Sequence, residues 1–499
     1  MSENNTAALQ ELARPQYEEL KKLDFQLKPA QRAKIPLQEM PVQDAELRRK
    51  NTSEVALGYT PMQAVVEANR CLQCKNQPCV EGCPVRLPIR DFIKSIAVGD
   101  FAEAIRLIKV DSLLPAVCGR VCPQETQCQV KCTLAKVLKD PEQAVSIGRL
   151  ERFVADWERN QGKTELPQCA PDSGKKVAVI GSGPAGITVA ADCRRAGHAV
   201  TVFEAFHKFG GVMMYGIPEF RLPKAIVEAE VELLRRMGVQ MLPNFLIGRS
   251  RKLQDLLDKD GYDAVFIGIG AGLPNFMGIE GENLIGVSSA NEYLTRANLM
   301  RAYERDKAAT PIAEAKRVAV LGGGNVAMDA ARTALRLGAE EVYLIYRRSE
   351  KEMPARVEEI HHAREEGVQF HLLRNAKRVL GNEEGRVTAL ECLCYELGEP
   401  DASGRRSPVA VPGSEYVLPL DAVIVAIGNS SNPLIRQTTE GLEFNKWGNL
   451  VCDEDGRTSL PRVFAGGDIV LGAATVILAM GQGRKAAAAI NKMLAEGGD

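Results

Sequence analysis

Two stretches of this chain repeat one design. "KKVAVIGSGPAGITVAADCRRAGHAVTVFEA" (175–205) and "KRVAVLGGGNVAMDAARTALRLGAEEVYLIYRRS" (316–349) each run from a short Val/Ala strand through a glycine turn into a helix and out along a second strand. A strand, helix and strand so close together form a parallel pair with its crossover, so the predicted fold class is α/β with two Rossmann-like dinucleotide-binding domains. A chain of 499 residues has room for several such units, each with its own core.

The two loops carry different chemistry. Gly181, Gly183 and Gly186 occupy the three G-x-G-x-x-G positions, permitting a tight turn, close approach of a pyrophosphate and close helix packing. Glu204 ends the following strand, where a carboxylate accepts ribose hydroxyls and repels a 2′-phosphate. The second loop has Gly322, Gly324 and Ala327, and its strand ends in Arg347 and Arg348, which suits NADP better than NAD. A third glycine-rich stretch, "VFAGGDIVLGAATVILAMGQGRKAAAAI", places Asp468 beside Gly466 and Gly467 and completes an earlier domain rather than founding a new one. An aspartate there organises the ribityl or pyrophosphate part of a flavin, with a following helix N-terminus under the isoalloxazine. The plain alternatives are an unliganded glycine turn, a solvated arginine pair and a surface turn.

Eight of the 13 cysteines lie between Cys71 and Cys132. They are Cys71, Cys74, Cys79 and Cys83, followed by Pro84, and then Cys118, Cys122, Cys128 and Cys132, with Pro123 after Cys122. In a reducing compartment that density means metal ligation. Ferredoxin runs end in Cys-Pro and give their fourth cysteine to the neighbouring cluster, so Cys71, Cys74 and Cys79 are assigned to one iron-sulfur cluster and Cys83 to another. Four-thiolate zinc is the rival. Cys169, Cys193, Cys392, Cys394 and Cys452 read as incidental, and no C-x-x-C accompanies the flavin loop, which disfavours disulfide reduction. The five histidines form no ligand pattern, and His361 and His362 are expected to face solvent on a polar helix.

A net charge of -1 provides no field for nucleic acid, and the absence of a long apolar run or leader predicts a cytoplasmic protein without membrane insertion. The expected domains are a polar N-terminal arm (1–60), a helical iron-sulfur domain (61–165), the first part of an FAD-binding domain (175–300), an inserted NADPH-binding domain (301–428) and the second part of the FAD-binding domain (429–499). Residues 157–176 read as a linker.

The motifs "RCLQCKNQPCVEGCP", "LPAVCGRVCPQETQC", "IGRLERF", "IGSGPAG", "GVMMYGIPEFRLPK", "GGGNVAMD", "YRRS" and "AGGDI" resemble the glutamate synthase small-subunit family of iron-sulfur flavoproteins. That resemblance implies one 4Fe-4S cluster on Cys71, Cys74, Cys79 and Cys132, and a second on Cys83, Cys122, Cys128 and Glu151, leaving Cys118 a non-ligand. It implies FAD on the first unit at Gly181, Gly183, Pro184, Ala185, Gly186, Glu204, Gly211, Gly467 and Asp468. NADP(H) falls to Gly322, Gly324, Asn325, Val326, Arg347 and Arg348, and "YGIPEFRLPK" covers the flavin. Hydride exchange at the flavin N5 needs no side-chain base, so no catalytic residue is assigned.

Within the family, "GGVMMYGIPEFRLPK", "RRSEKEMPARVEEIHHA" and "GAATVILAMGQGRKAA" look most like the large subunit of NADH-dependent reduced ferredoxin:NADP oxidoreductase. The implied function is electron bifurcation among NAD(H), NADP(H) and ferredoxin, with a small flavin/2Fe-2S NAD-binding subunit as partner. The alternative is the small subunit of NADPH-dependent glutamate synthase, whose partner is the large amidotransferase subunit. A zinc-stabilised flavin reductase or an assembly subunit is the remote alternative.

Overall fold

The computed structural model describes residues 5–162, 164–402 and 404–497. Its N-terminal third is helical. Thr60 and Pro61 start the helix Pro61–Asn69 with a capping box, Thr60 Oγ1 accepting from Gln63 N and the Gln63 side chain accepting from Thr60 N. The apolar pattern after Pro88 splits into two helices, Ile89–Ala97 and Phe101–Asp111, because Gly99 turns the chain at φ +82° and Asp100 caps the second through Glu103 N. The arm is itself partly helical: Thr6–Lys22 buries Leu9, Ala13 and Leu20, with Ala13 and Leu20 packed against Val66. The helix Ile147–Asn160 takes up the start of the expected linker.

Five parallel strands form the first sheet, in the order Val463–Ala465, Ala264–Ile267, Lys176–Ile180, Ala199–Phe203 and Gln240–Leu242. Its edge strand comes from the last part of the chain, so this unit is discontinuous. The second sheet, also parallel, orders Val287–Ser289, Ala422–Val425, Arg317–Leu321, Glu341–Tyr346 and Gln369–Leu372. An antiparallel meander, from Arg374–Gly381 to Tyr416–Pro419, covers one of its faces. Leu273–Pro274 and Asn429–Ser430 pair where the chain leaves the first unit and returns to it.

The inserted unit therefore begins before the expected boundary at 301. Val287 lies opposite Val423 in the second sheet, and the helix Ala290–Asn298 packs beside Asn325–Arg336. A three-residue edge strand carries too little periodicity to announce itself. One continuous core joins the helical domain to the first sheet, running from Phe92 and Ile96 through Val179 to Ile490. The cysteine domain is thus seated on the first nucleotide unit rather than tethered to it. Among the described residues no helix is long and apolar enough to cross a membrane.

Candidate functional site

At the end of Lys176–Ile180 the chain turns at Gly181 with φ +96°, where a Cβ would stand 2.5 Å from the Gly268 carbonyl. A Cβ on Gly186 would stand 2.0 Å from Gly181 O, so the helix Pro184–Arg195 sits directly on the turn. Gly183, at the N-cap, has open space where its Cβ would be, and Pro184 occupies the first helical position. An open cradle at a helix N-terminus suits a pyrophosphate. Gly211 closes one side, its own Cβ position 2.7 Å from Gly183 Cα. Glu204 is buried beside the loop, accepting from Ser182 N at 3.0 Å, Ser182 Oγ at 2.5 Å and Phe206 N at 2.9 Å.

Two further groups face this cradle. Burial and the nearby carboxylates of Asp468 and Glu204 push the Tyr215 phenol well up, and its ring meets Phe206 edge-on at 5.5 Å. Burial pushes Asp468 up to about 6. Gly467 holds the Asp468 turn at φ +80° and donates its N–H to Gln482 Oε1 at 2.7 Å. The segment Tyr215–Lys224 is pinned from below: the Lys224 ammonium donates to the carbonyls of Met213, Ile217 and Leu222. Sequence reasoning missed Lys224, Ser182 and Gln482, whose partners appear only once the turns are formed.

In the second unit Gly324 caps Asn325–Arg336 and Val326 is exposed beside it. Asn325 Oδ1 accepts from Arg356 N at 2.9 Å. The arginine pair divides. Arg347 is exposed and forms no ion pair among the described residues. Arg348 is buried and donates to Asp401 and to Arg406 O, both at 2.8 Å, which corrects the expectation of two guanidiniums free for a phosphate. His362 is likewise buried, its imidazole pushed down to about 4 by burial and then by Arg332, while His361 is exposed.

The seven expected thiols fall into two groups. Cys71, Cys74, Cys79 and Cys132 line one cavity with Leu72, Ile89 and Ile93. Cys83, Cys122, Cys128 and Glu151 act electrostatically on one another in the second group. Burial first, and with it neighbouring thiolates or, at Cys83, the Glu151 carboxylate, push Cys71 up to about 12 and Cys79 and Cys83 to about 11. Such thiols ionise together only around a cation. Glu151 is buried, pushed up to about 8 by that burial, with Oε1 lacking a hydrogen-bond partner among the described residues. An orphaned carboxylate oxygen beside three buried thiols fits a metal cluster.

Cys118 stands in the same neighbourhood, its thiol in contact with that of Cys122 and acted on by Glu151 and Cys83, and its Sγ also lies 3.5 Å from Met480 Sδ. Met480 lies on Val476–Glu496, the helix that follows the Asp468 turn. A Cβ on Gly481 would stand 3.0 Å from Pro84 O, and one on Gly483 2.7 Å from Ala185 O. One helix thus touches both the second cysteine group and the first glycine-loop helix. Gln127 Nε2 also donates to Thr475 Oγ1, the cap of that helix, at 3.4 Å.

Residues 48–163 match the family model described as dihydropyrimidine dehydrogenase domain II, 4Fe-4S cluster, and residues 175–483 that of the pyridine nucleotide-disulphide oxidoreductases. The chain is 39% identical over 447 residues to a glutamate synthase [NADPH] small chain of Halomonas elongata, covering 89% of this chain and 93% of that one. It is 40% identical over 442 residues to an NADP(+)-dependent formate dehydrogenase subunit beta of Moorella thermoacetica, covering 84% of this chain and 60% of that one. The fold resembles Mycobacterium tuberculosis FprA in complex with NADPH, with TM-score 0.55 and 20% identity over 66% of this chain and 85% of that one. FAD, iron-sulfur clusters and NADP(H) are the cofactors of this oxidoreductase. Helical cysteine domain, split flavin unit and inserted nucleotide unit together make the chain a member of the glutamate synthase small-chain family of NADPH-dependent oxidoreductases.

Proposed function

We propose that this chain exchanges hydride with NADP(H) at its flavin and relays single electrons between that flavin and a partner subunit through two 4Fe-4S clusters. The observation that carries the reading is the helix Val476–Glu496, packed at Gly483 on Ala185 and at Gly481 and Met480 on Pro84 and Cys118. Bound FAD supplies a hydride site at N5, and the clusters supply one-electron carriers.

The side chains have holding roles. The N-terminus of Pro184–Arg195 faces the pyrophosphate, Glu204 the ribose, and Asp468 with Tyr215 the ring side of the cradle. Gly322 and Gly324 admit the second dinucleotide, and Arg347 pairs with its 2′-phosphate. Cys71, Cys74, Cys79 and Cys132 hold the outer cluster; Cys83, Cys122, Cys128 and Glu151 hold the inner one. Three of the four outer thiols, Cys71, Cys74 and Cys79, are half-buried and Cys132 is buried, whereas Cys83, Cys122 and Cys128 are all buried, which supports an exit through the outer group. Lys75 and Lys131, adjacent to Cys74 and Cys132, are exposed and unpaired among the described residues, supporting an acidic partner surface there.

The partner is proposed to be a small flavin/2Fe-2S NAD-binding subunit, in an electron-bifurcating complex that also reduces ferredoxin. A second reading, in which electrons pass to a glutamate synthase large subunit, is favoured by the near full-length match to a small chain of that enzyme. Purifying the native complex and assaying NADPH-dependent ferredoxin reduction with and without NAD separates them. Ferredoxin reduction that depends on NAD supports bifurcation; glutamate formation without it supports the second reading. A complex whose flavin is not reduced by NADPH would refute both.

A further inference from the structure

The inserted nucleotide unit is joined to the flavin unit by two chain crossings, at Leu273–Pro274 and Asn429–Ser430. Two such strands alone would leave it free to swing. Yet one of its helices, Val357–Glu365, is seated by charged groups from three other parts of the molecule.

At the N-terminal end, the Arg356 guanidinium donates to Arg120 O at 2.6 Å and to Gln124 Oε1 at 3.2 Å, on the stretch around Cys122. Val357 N donates to Glu125, and Arg149 pairs with Glu358 at 3.3 Å. In the middle, Glu359 pairs with Arg221 of the flavin-covering segment at 3.2 Å. At the C-terminal end, Glu366 accepts from Arg48 of the N-terminal arm at 2.9 Å and from Arg332 and Arg336, each at 2.7 Å, while Glu365 accepts from Arg48 at 2.5 Å. The side chains of Arg48 and Glu366 are 2% and 0% exposed. The arm goes on to donate Val55 N to Phe220 O at 2.9 Å, next to Arg221.

Buried pairs of this kind gain little stability over apolar packing, but they admit few alternative geometries, and removing one partner is costly. Six residues from three segments agree here on one orientation of one helix. Asn325, the first residue of the second glycine-loop helix, is bound to Arg356 N, so the seat reaches the nucleotide loop itself.

We propose that Arg48 and Arg356 are positioning residues for hydride transfer. They fix the inserted unit in one orientation against the flavin unit and the cysteine domain, and the N-terminal arm acts as the strap that closes the assembly. The inference rests on the NADP(H)-to-flavin reading above and adds a role for residues outside both cofactor sites. Its energetic basis is orientation: a misplacement of about 1 Å between reacting groups costs on the order of a hundredfold in rate.

The test uses the cofactor-loaded protein. Arg48→Met leaves Glu366 paired with Arg332 and Arg336. The limiting rate of flavin reduction at saturating NADPH should fall about tenfold to a hundredfold, with FAD and iron contents as in the parent. Arg48→Lys should restore part of that rate. An unchanged limiting rate in Arg48→Met would overturn the proposal. If Arg48→Met loses its cofactors, Arg356→Gln, at the other end of the helix, decides by the same measurement. Small-angle scattering needs no nucleotide chemistry: Arg48→Met should give a wider distribution of interatomic distances, and a profile identical to the parent's would sink the strap. A parent flavin that dithionite reduces and NADPH does not would instead overturn the underlying function.

Discussion

The Sγ of Cys118 lies 3.5 Å from the Sδ of Met480, where the cysteine domain meets the helix that follows the flavin turn. Both residues are buried, and Gly481 next to Met480 lets the Pro84 carbonyl close in, with a Cβ position only 3.0 Å away. The thioether and thiol fill the seam between the inner cysteine group and the flavin unit. Sulfur is well suited to that place, being polarisable and undemanding of hydrogen bonds.

On the ligand set that the family resemblance implies, Cys118 should prove dispensable for metal although it stands beside Cys122 in the dense cysteine run. Cys118→Ser should retain its iron and lose about 1–3 kcal/mol of stability, because the hydroxyl faces Met480 in a buried seam. Cys122→Ser should lose about half the iron, the share of one of two 4Fe-4S clusters. Iron analysis of the two anaerobically purified variants compares them directly; equal iron loss would place Cys118 among the ligands.

Glu151 should set the potential of the inner cluster. As a ligand its carboxylate, ionised against the iron, would bring a negative charge to the group with Cys83, Cys122 and Cys128, which favours the oxidised cluster. Glu151→Gln should raise the midpoint potential of one cluster and leave the other unmoved, as read by EPR-monitored redox titration. Glu151→Ala should lower that cluster's occupancy as well. Identical shifts of both clusters would point to a general field effect and remove Glu151 from the ligand set.

Much of this site was legible because its signals are local. Gly181, Gly183 and Gly186 act within one turn, and the cysteine spacings lie within single loops. What the sequence concealed depends on partners far along the chain. Arg348 looks equivalent to Arg347 until Asp401, on a hairpin of the meander, takes its guanidinium. His362 looks as exposed as His361 until its side of the helix is buried beside Arg332. Val287–Ser289 becomes a strand only by pairing with Ala422–Val425, so the inserted unit starts before residue 301. The polar arm gave no sign of purpose, since the partners of Arg48, the exposed Glu365 and the buried Glu366, stand in the inserted nucleotide unit.

The division of the arginine pair gives a test of nucleotide choice. Arg347→Ala should weaken NADPH binding by about 1.5–3 kcal/mol, roughly tenfold to a hundredfold, through the loss of a charge-assisted bond to the 2′-phosphate. NADH binding should change little. Arg348→Ala should instead loosen the meander hairpin by removing the Arg348 bonds to Asp401 and to the Arg406 carbonyl, with similar losses for both nucleotides. Fluorescence titrations of the two variants with each nucleotide measure the contrast. Equal losses for NADPH and NADH in Arg347→Ala would withdraw the phosphate role.

Asp468 gives the flavin-free protein a characteristic pH dependence. Burial pushes its carboxyl up to about 6, above the ordinary value of 3.8. Between those values the folded state keeps a proton that the unfolded state has released, so stability falls as pH rises through the window. A shift of that size corresponds to at most about 3 kcal/mol above pH 6, recovered fully below the unfolded value. Asp468→Asn should flatten the slope, making the flavin-free protein more stable at neutral pH while weakening its hold on FAD. Denaturant unfolding of parent and variant across that range, paired with FAD titration, reads both effects. A parent whose stability instead rises through the window would mean that hydrogen bonds such as that from the Ala474 backbone outweigh burial, and that Asp468 is held ready in its charged form.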